Sequence, residues 1–347
     1  MNTVSTIPAG SITRSDNPTT RSHSRNGRYF FVTMSTLFLI MAVVGFTPSY
    51  QANYSGQIHL HWFAHVHGAI MTSWLLVFFT QGVLAAKGNF RFHRKLGLFS
   101  VALGVLVLLC MITASIRARL QYPAPIGDDT WDLILIELYS ISLFGLFFTW
   151  GMRVRRKLIP HKRLLFFATL ILLQAAVDRT RFLPGLGDAI YVRFIYLDTL
   201  IIPLVIYDLI TTKRVQKITM ICSTIIIAIQ IAVSVTWGAP AWHNLWFNIY
   251  APFVEKVVEV KLSDAQIDPV IGNYGNKDWK MTVSRDAGKI YLKLPDVTRF
   301  EMAPTSENEW FLRTMVWKVS FIKGADGSVI KIINNQPRIT WEQPRIR

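Results

Sequence analysis

The sequence predicts a membrane-embedded all-α bundle of about seven transmembrane helices with a C-terminal antiparallel β-domain. Three observations predict it. Apolar residues make up 51% of the 347-residue chain and charged residues only 17%. The apolar residues fall in blocks close to the length that crosses a bilayer rather than spreading at helical or strand spacing. Beyond Leu262 the apolar period becomes two.

The elements follow in order. Residues 1–27 are rich in Ser, Thr, Asn and Arg and hold almost no apolar run, which predicts a disordered tail. The first apolar block begins only near Tyr29, so no cleavable signal peptide is expected ahead of it. Apolar segments then cover approximately Tyr29–Phe46, Ala64–Ala86, Leu96–Ile116, Trp131–Met152, Leu164–Val177, Phe194–Ile210 and Ile218–Trp237. Most approach the roughly 20 residues that span about 30 Å of hydrocarbon. Leu164–Val177 is short, and is expected either to extend through His161 to Arg163 and Asp178 to Arg181 or to sit in a thinned bilayer. The seven-helix domain is placed at 28–238, an interfacial connector rich in Trp, Pro and Phe at 239–261, and the β-domain at 262–347.

A formal charge of +16 invites comparison with nucleic-acid binders, which gather basic residues on one folded face with interleaved aromatics. Here Lys and Arg gather at the ends of apolar blocks, so the partner is the lipid bilayer and no nucleic acid. The tail and the even-numbered connections hold 17 of them and the odd-numbered connections 5. That bias predicts a cytoplasmic amino terminus, an extracytoplasmic β-domain and a multi-pass protein of the bacterial inner membrane. Cys110 and Cys222, the only cysteines, each lie inside an apolar block, which excludes a disulfide framework.

In the last 86 residues Trp279, Met281 and Val283, then Ile290, Leu292 and Leu294, then Val319 and Phe321, alternate with polar neighbours. Asp286-Ala287-Gly288 and Ala325-Asp326-Gly327 read as hairpin turns, giving about six strands. The stretch from Leu262 to Leu294, with the later Gly324-Ala325-Asp326-Gly327, resembles the small β-barrel domain appended to serine β-lactamase-like hydrolases. That resemblance implies the fold and no activity, because in those proteins the appended domain carries no catalytic residue. From Arg28 to Lys217 the motifs His65-Val66-His67-Gly68, His93-Arg94-Lys95-Leu96-Gly97 and His161-Lys162-Arg163-Leu164 resemble a family of bacterial polytopic membrane proteins, and imply architecture rather than chemistry.

Seven of the eight histidines lie beyond the tail. Neutral imidazole is the commonest side-chain ligand for transition metals and haem iron, so His61, His65 and His67, close to His59, make a candidate metal site. The carboxylates Asp132, Asp178 and Asp198, at helix ends on the same side, are its candidate partners, since acids at membrane depth are costly unless paired or ligated. Zinc, iron or copper would suit such a set, with an open position for water. Histidines at a helix start also sit plainly among headgroups, and Arg179 and Arg181 offer Asp178 ion pairs.

His67, Met71, Trp74, Phe78 and Gln81 share one helix face that would line either a haem or quinone pocket or a packed interface. His93 and His161 open the third and fifth helices at equal depth, as bis-imidazole ligation of b-type haem requires; the positive-inside rule alone also accounts for them. Gln174 and Asp178 are one helical turn apart, and Glu137 lies within the fourth helix. The sequence therefore points to a metal- or haem-binding membrane protein with a redox or metal-centred role, through His67, His93 and His161 or the outer His/Asp set. A small-molecule or ion transporter, and a scaffold or sensor using the β-domain to engage an extracytoplasmic protein or a second copy, remain open beside it.

Overall fold

The computed structural model describes residues 18–120, 128–180, 183, 190–253, 258–276, 279–295, 299–313, 317–336 and 339–346; of 18–28 and 128–130 only the backbone is described. The helical part runs α1 (Pro18–Tyr54), a two-residue strand β1 (His59–Leu60), α2 (Trp62–Ala86), α3 (Phe90–Leu120), α4 (Asp128–Arg153), α5 (Leu158–Leu172), α6 (Gln174–Val177), α7 (Val192–Thr199), α8 (Ile202–Thr212) and α9 (Lys217–Thr236). Among the described residues, seven stretches are long and apolar enough to cross a membrane, α5 with α6 and α7 with α8 each making one. The chain is an integral membrane protein of the architecture its hydropathy predicts.

Local chemistry sets the boundaries. Helix α1 starts inside the segment expected as a tail, of which residues 1–17 lie outside the described residues, and it continues past Pro48 to Tyr54. His61 caps α2 by accepting from Phe63 N–H at 3.2 Å. Pro160 sits in the first turn of α5, where its missing N–H breaks no helical bond. Pro203 is the second residue of α8, which explains why the sixth span is interrupted after Thr199. Lys213, at φ 56°, turns the chain out of α8 in the left-handed region.

The fifth span extends as its shortness requires: α5 reaches back through His161 to Leu158. It is also the most deeply buried span, with Leu164, Phe166, Phe167, Ala168, Leu170 and Ile171 all fully enclosed by their neighbours. Helices α4 and α9 pack along it, and α1, α2 and α3 complete the bundle beside α4. Helix α3 is peripheral and turns Leu98, Phe99, Val105 and Leu109 outward, as a lipid-facing helix must.

After α9, helix α10 (Pro240–Tyr250) folds back over the start of α4. Trp242, Trp246 and Tyr250 pack on buried Trp131 and Ile134, and Trp242 Nε1–H donates to the Trp131 carbonyl at 2.9 Å. A short helix α11 (Asp264–Ile267) leads into the β-domain.

Its strands are β2 (Gly272–Gly275), β3 (Lys280–Asp286), β4 (Lys289–Lys293), β5 (Arg299–Pro304), β6 (Glu309–Leu312), β7 (Lys318–Lys323), β8 (Val329–Gln336) and β9 (Ile339–Ile346). Each pairs antiparallel with the next, and β9 returns to β2, closing an eight-stranded barrel. Ala287 and Gly288 both take positive φ, 47° and 78°, in a two-residue hairpin turn where Asp286-Ala287-Gly288 places it. The barrel exceeds the six strands expected because β6 buries Trp310, Phe311 and Leu312 in succession and β9 is polar, so neither shows a period of two.

Candidate functional site

Strand β1 pairs antiparallel with β9, His59 opposite Thr340 and Leu60 opposite Ile339, so the loop after α1 adds to the edge of the barrel. The bundle therefore has a barrel end, where α1 and α3 finish and α2 and α4 begin, and a far end, where α3, α5 and α9 begin.

At the barrel end the histidines take separate partners. His61 faces the Arg117 guanidinium at 3.4 Å, and Arg117 also lies over the rings of Trp62 and Phe63. His65 packs its ring against Tyr50, at 5.9 Å between centroids. His67 meets the buried Cys110 thiol on α3 through Nδ1 at 3.3 Å. Glu137 accepts from Arg119 and from Ser115 Oγ, both at 2.5 Å, which answers the cost of an acid at that depth.

The other acids are tied down too. Asp132 accepts from His243 Nε2 and from the Gly238 N–H, each at 2.9 Å, and so fastens the connector to α4. Gln174 donates to Asp178 at 2.8 Å and to the Arg193 carbonyl at 2.9 Å, the pairing its one-turn spacing from Asp178 suggests. Gln230 on α9 donates to Asp198 at 2.9 Å and to Tyr139 at 3.2 Å. The expected outer set His61, His65, His67, Asp132, Asp178 and Asp198 is thus distributed over separate contacts, a ring contact for His65 and hydrogen bonds for the others. Among the described residues, no three His, Cys, Asp or Glu side chains converge as a metal site would need.

Below this end lies an aromatic layer. Trp74 sits edge-on to Phe144 and Phe148, which stack at 5.7 Å, and its Nε1–H donates to Thr169 at 3.2 Å. Phe78 stacks on Phe38, which touches Phe166 at 5.2 Å. The α2 face from His67 through Met71, Trp74 and Phe78 therefore points into the bundle and is filled by packing.

The far end holds a different arrangement. His93, in the first turn of α3, faces the Gln81 carbonyl through Nδ1 at 3.3 Å. His161, in the first turn of α5, faces the Gly151 carbonyl through Nδ1 at 2.9 Å. A carbonyl oxygen only accepts, so both Nδ1 atoms carry the proton and each neutral ring keeps its lone pair on Nε2. His93 and His161 thus both stand where their helices begin, at the far end of the bundle. The Gln81 amide packs beside Gly97, one turn along α3 from His93, and its buried Oε1 has no hydrogen-bond partner among the described residues. Two imidazoles and one amide oxygen on three helices are suited chemically to a cation that accepts nitrogen and oxygen donors.

Next to His161, Arg163 forms a buried ion pair with Asp208 of α8, which also accepts from Thr219 Oγ at 2.6 Å and from the Gln216 N–H at 3.0 Å. Sequence reasoning missed Asp208. Its one signal is an acid near the end of an apolar helix, with basic residues on the following loop. No protein-family model matches the chain, and no curated protein matches it.

Proposed function

We propose that this membrane protein holds a metal-centred cofactor at the far end of the bundle, ligated by Nε2 of His93 and His161, and serves a redox or metal-centred role there. The observation that carries the reading is the fixing of both Nδ1–H groups on main-chain carbonyls. Metal-ligating histidines are oriented in this way, with the second ring nitrogen turned to the metal. The two imidazoles would hold a b-type haem, which would supply one-electron redox chemistry. Alternatively, with the Gln81 oxygen and water, they would hold a bare iron, copper or zinc ion. The 17-to-5 distribution of basic residues supports a cytoplasmic position for this end and an extracytoplasmic one for the barrel, in a bacterial inner membrane.

The test is a visible absorption spectrum with elemental analysis on full-length protein purified in mild detergent without chelators. A Soret band identifies haem, and stoichiometric metal without that band identifies a bare ion. Either signal is expected to disappear in His93→Ala and in His161→Ala and to survive in His67→Ala. Wild-type protein with neither chromophore nor metal overturns the reading.

A scaffold or sensor acting through the barrel is the second reading, and the β1–β9 pairing favours it because it fixes the barrel to the bundle. Loss of barrel-dependent partner capture on breaking that pairing would support it. Transport is favoured less: the Trp74, Phe144 and Phe148 layer stands between the polar groups of the two ends.

A further inference from the structure

Between the start of α5 and the α8–α9 loop lies a cleft of about 380 Å³, lined by Ile159, Pro160, Arg214, Gln216, Lys217 and Ile218. We propose that it is a binding site for an anionic phospholipid, whose phosphate is held by Arg214 and Lys217 while an acyl chain follows the outer face of α9.

The electrostatics of the cleft require an anion. Arg214 and Lys217 are exposed, and among the described residues neither forms an ion pair with a carboxylate. Asp208, bonded to Gln216 and Thr219 on either side of Lys217, is neutralised by Arg163. Helix α9 makes the imbalance larger. Its first turn holds no acid, Lys217 stands where the helix dipole is already positive, and the side chain of the N-cap residue Gln216 makes no capping bond. Three sources of positive potential therefore meet where the one neighbouring carboxylate, Asp208, is already paired with Arg163.

The walls decide which anion. Ile159 is 48% exposed beside the cations, and Met220 and Ile221 continue outward along α9 at 58% and 45%. An inorganic phosphate would use the cations and leave this apolar surface idle. A phospholipid uses both, and basic pockets between spanning helices are where anionic headgroups bind. The cleft opens at the level where α5 and α9 begin their crossings, the depth of a lipid headgroup. The site is independent of any cofactor on His93 and His161.

The test uses the delipidated full-length chain in detergent, with thermal unfolding and native mass spectrometry read as phosphatidylglycerol or phosphatidylcholine is added. Phosphatidylglycerol is expected to raise the unfolding temperature and remain as an adduct, and phosphatidylcholine to do neither. Arg214→Gln with Lys217→Gln should weaken phosphatidylglycerol binding by about 30-fold, about fivefold per cation. Arg91→Gln with Lys95→Gln, at the same end but outside the cleft, should leave it unchanged. Equal weakening by the two pairs would mean diffuse attraction and overturn the site. Equal stabilisation by both lipids overturns it as well, as does full stabilisation by inorganic phosphate in phosphatidylcholine alone. Adduct retention does not depend on stability, so a destabilised variant still gives a reading.

Discussion

Arg163 on α5 and Asp208 on α8 form an ion pair with almost no solvent access, the two side chains being 2% and 0% exposed. Asp208 accepts from Arg163 Nε at 3.1 Å as well as from Thr219 and Gln216, so one carboxylate joins α5, α8 and the start of α9. Arg163 also returns a bond to the Ile159 carbonyl at 3.1 Å. Asp208→Ala leaves the guanidinium charged, buried and unpaired, and should cost about 3–5 kcal/mol. Arg163→Met with Asp208→Leu removes both charges and should cost much less. Unfolding in detergent, followed by tryptophan fluorescence, compares them; a single variant no worse than the double would show that the pair contributes little.

That pair also marks where the sequence stops being informative. Hydropathy alone locates every span, because lipid and core demand the same apolar residues, and the β-hairpin at Ala287-Gly288 follows from local backbone chemistry. Which residues face one another across 45 positions is a property of packing, so Asp208 has no local signature beside Arg163. The same limit governs the histidines. His61, His65 and His67 are neighbours in sequence, yet the helix that begins at Trp62 sends them to Arg117, Tyr50 and Cys110 in turn. The equal depth of His93 and His161 was legible, since both open helices at one end; the carbonyls that orient them, on α2 and α4, were not.

Gly104 on α3 lies against the ring of Phe148, so closely that an added Cβ would collide with three ring carbons. The aromatic layer with Trp74 therefore depends on a residue without a side chain. Gly104→Ala should cost about 1–3 kcal/mol through overpacking, and Gly104→Leu more. Gly145→Ala makes the comparison, since its Cβ would make ordinary van der Waals contact with Leu108. Thermal unfolding in detergent that ranks Gly145→Ala as the more damaging change would contradict this account of the layer.

Within the barrel, Tyr274 is fully buried and donates its hydroxyl to the Val270 carbonyl at 2.7 Å. Burial pushes its pKa from 10.0 up to about 12, with nearby Arg345 opposing the rise. A phenol protonated in the folded state and ionised in the unfolded one contributes stability that is fully present below pH 10 and is lost as pH rises through about 12. The loss over that window should approach about 3 kcal/mol. Tyr274→Phe should lower stability at pH 7 by about 1 kcal/mol through the missing hydrogen bond. It should also flatten the alkaline decline. Denaturant unfolding at pH 8, 10 and 11.5, read on the barrel tryptophans, tests the slope; identical slopes in wild type and variant would remove Tyr274 from the explanation.

Strand β1 is only two residues long, yet it sets how the barrel is attached. Leu60 N–H is held by the Asn53 side chain at 2.8 Å, which orients the loop, while His59 and Leu60 run antiparallel to Thr340 and Ile339. Residues directly opposite in such a pair hold their Cβ atoms about 4.5–5.5 Å apart, within reach of a disulfide after slight adjustment. His59→Cys with Thr340→Cys should therefore crosslink under mild oxidation, while Cys110 and Cys222, both buried, stay reduced. Cleavage in the connector would then leave bundle and barrel joined until a reductant is added. Shifting one partner to Gln343, three residues further along β9, should abolish the crosslink. Equal crosslinking at both positions would mean that the barrel moves freely at the end of its connector. The pairing would then be a passing contact and the scaffold reading would lose its support.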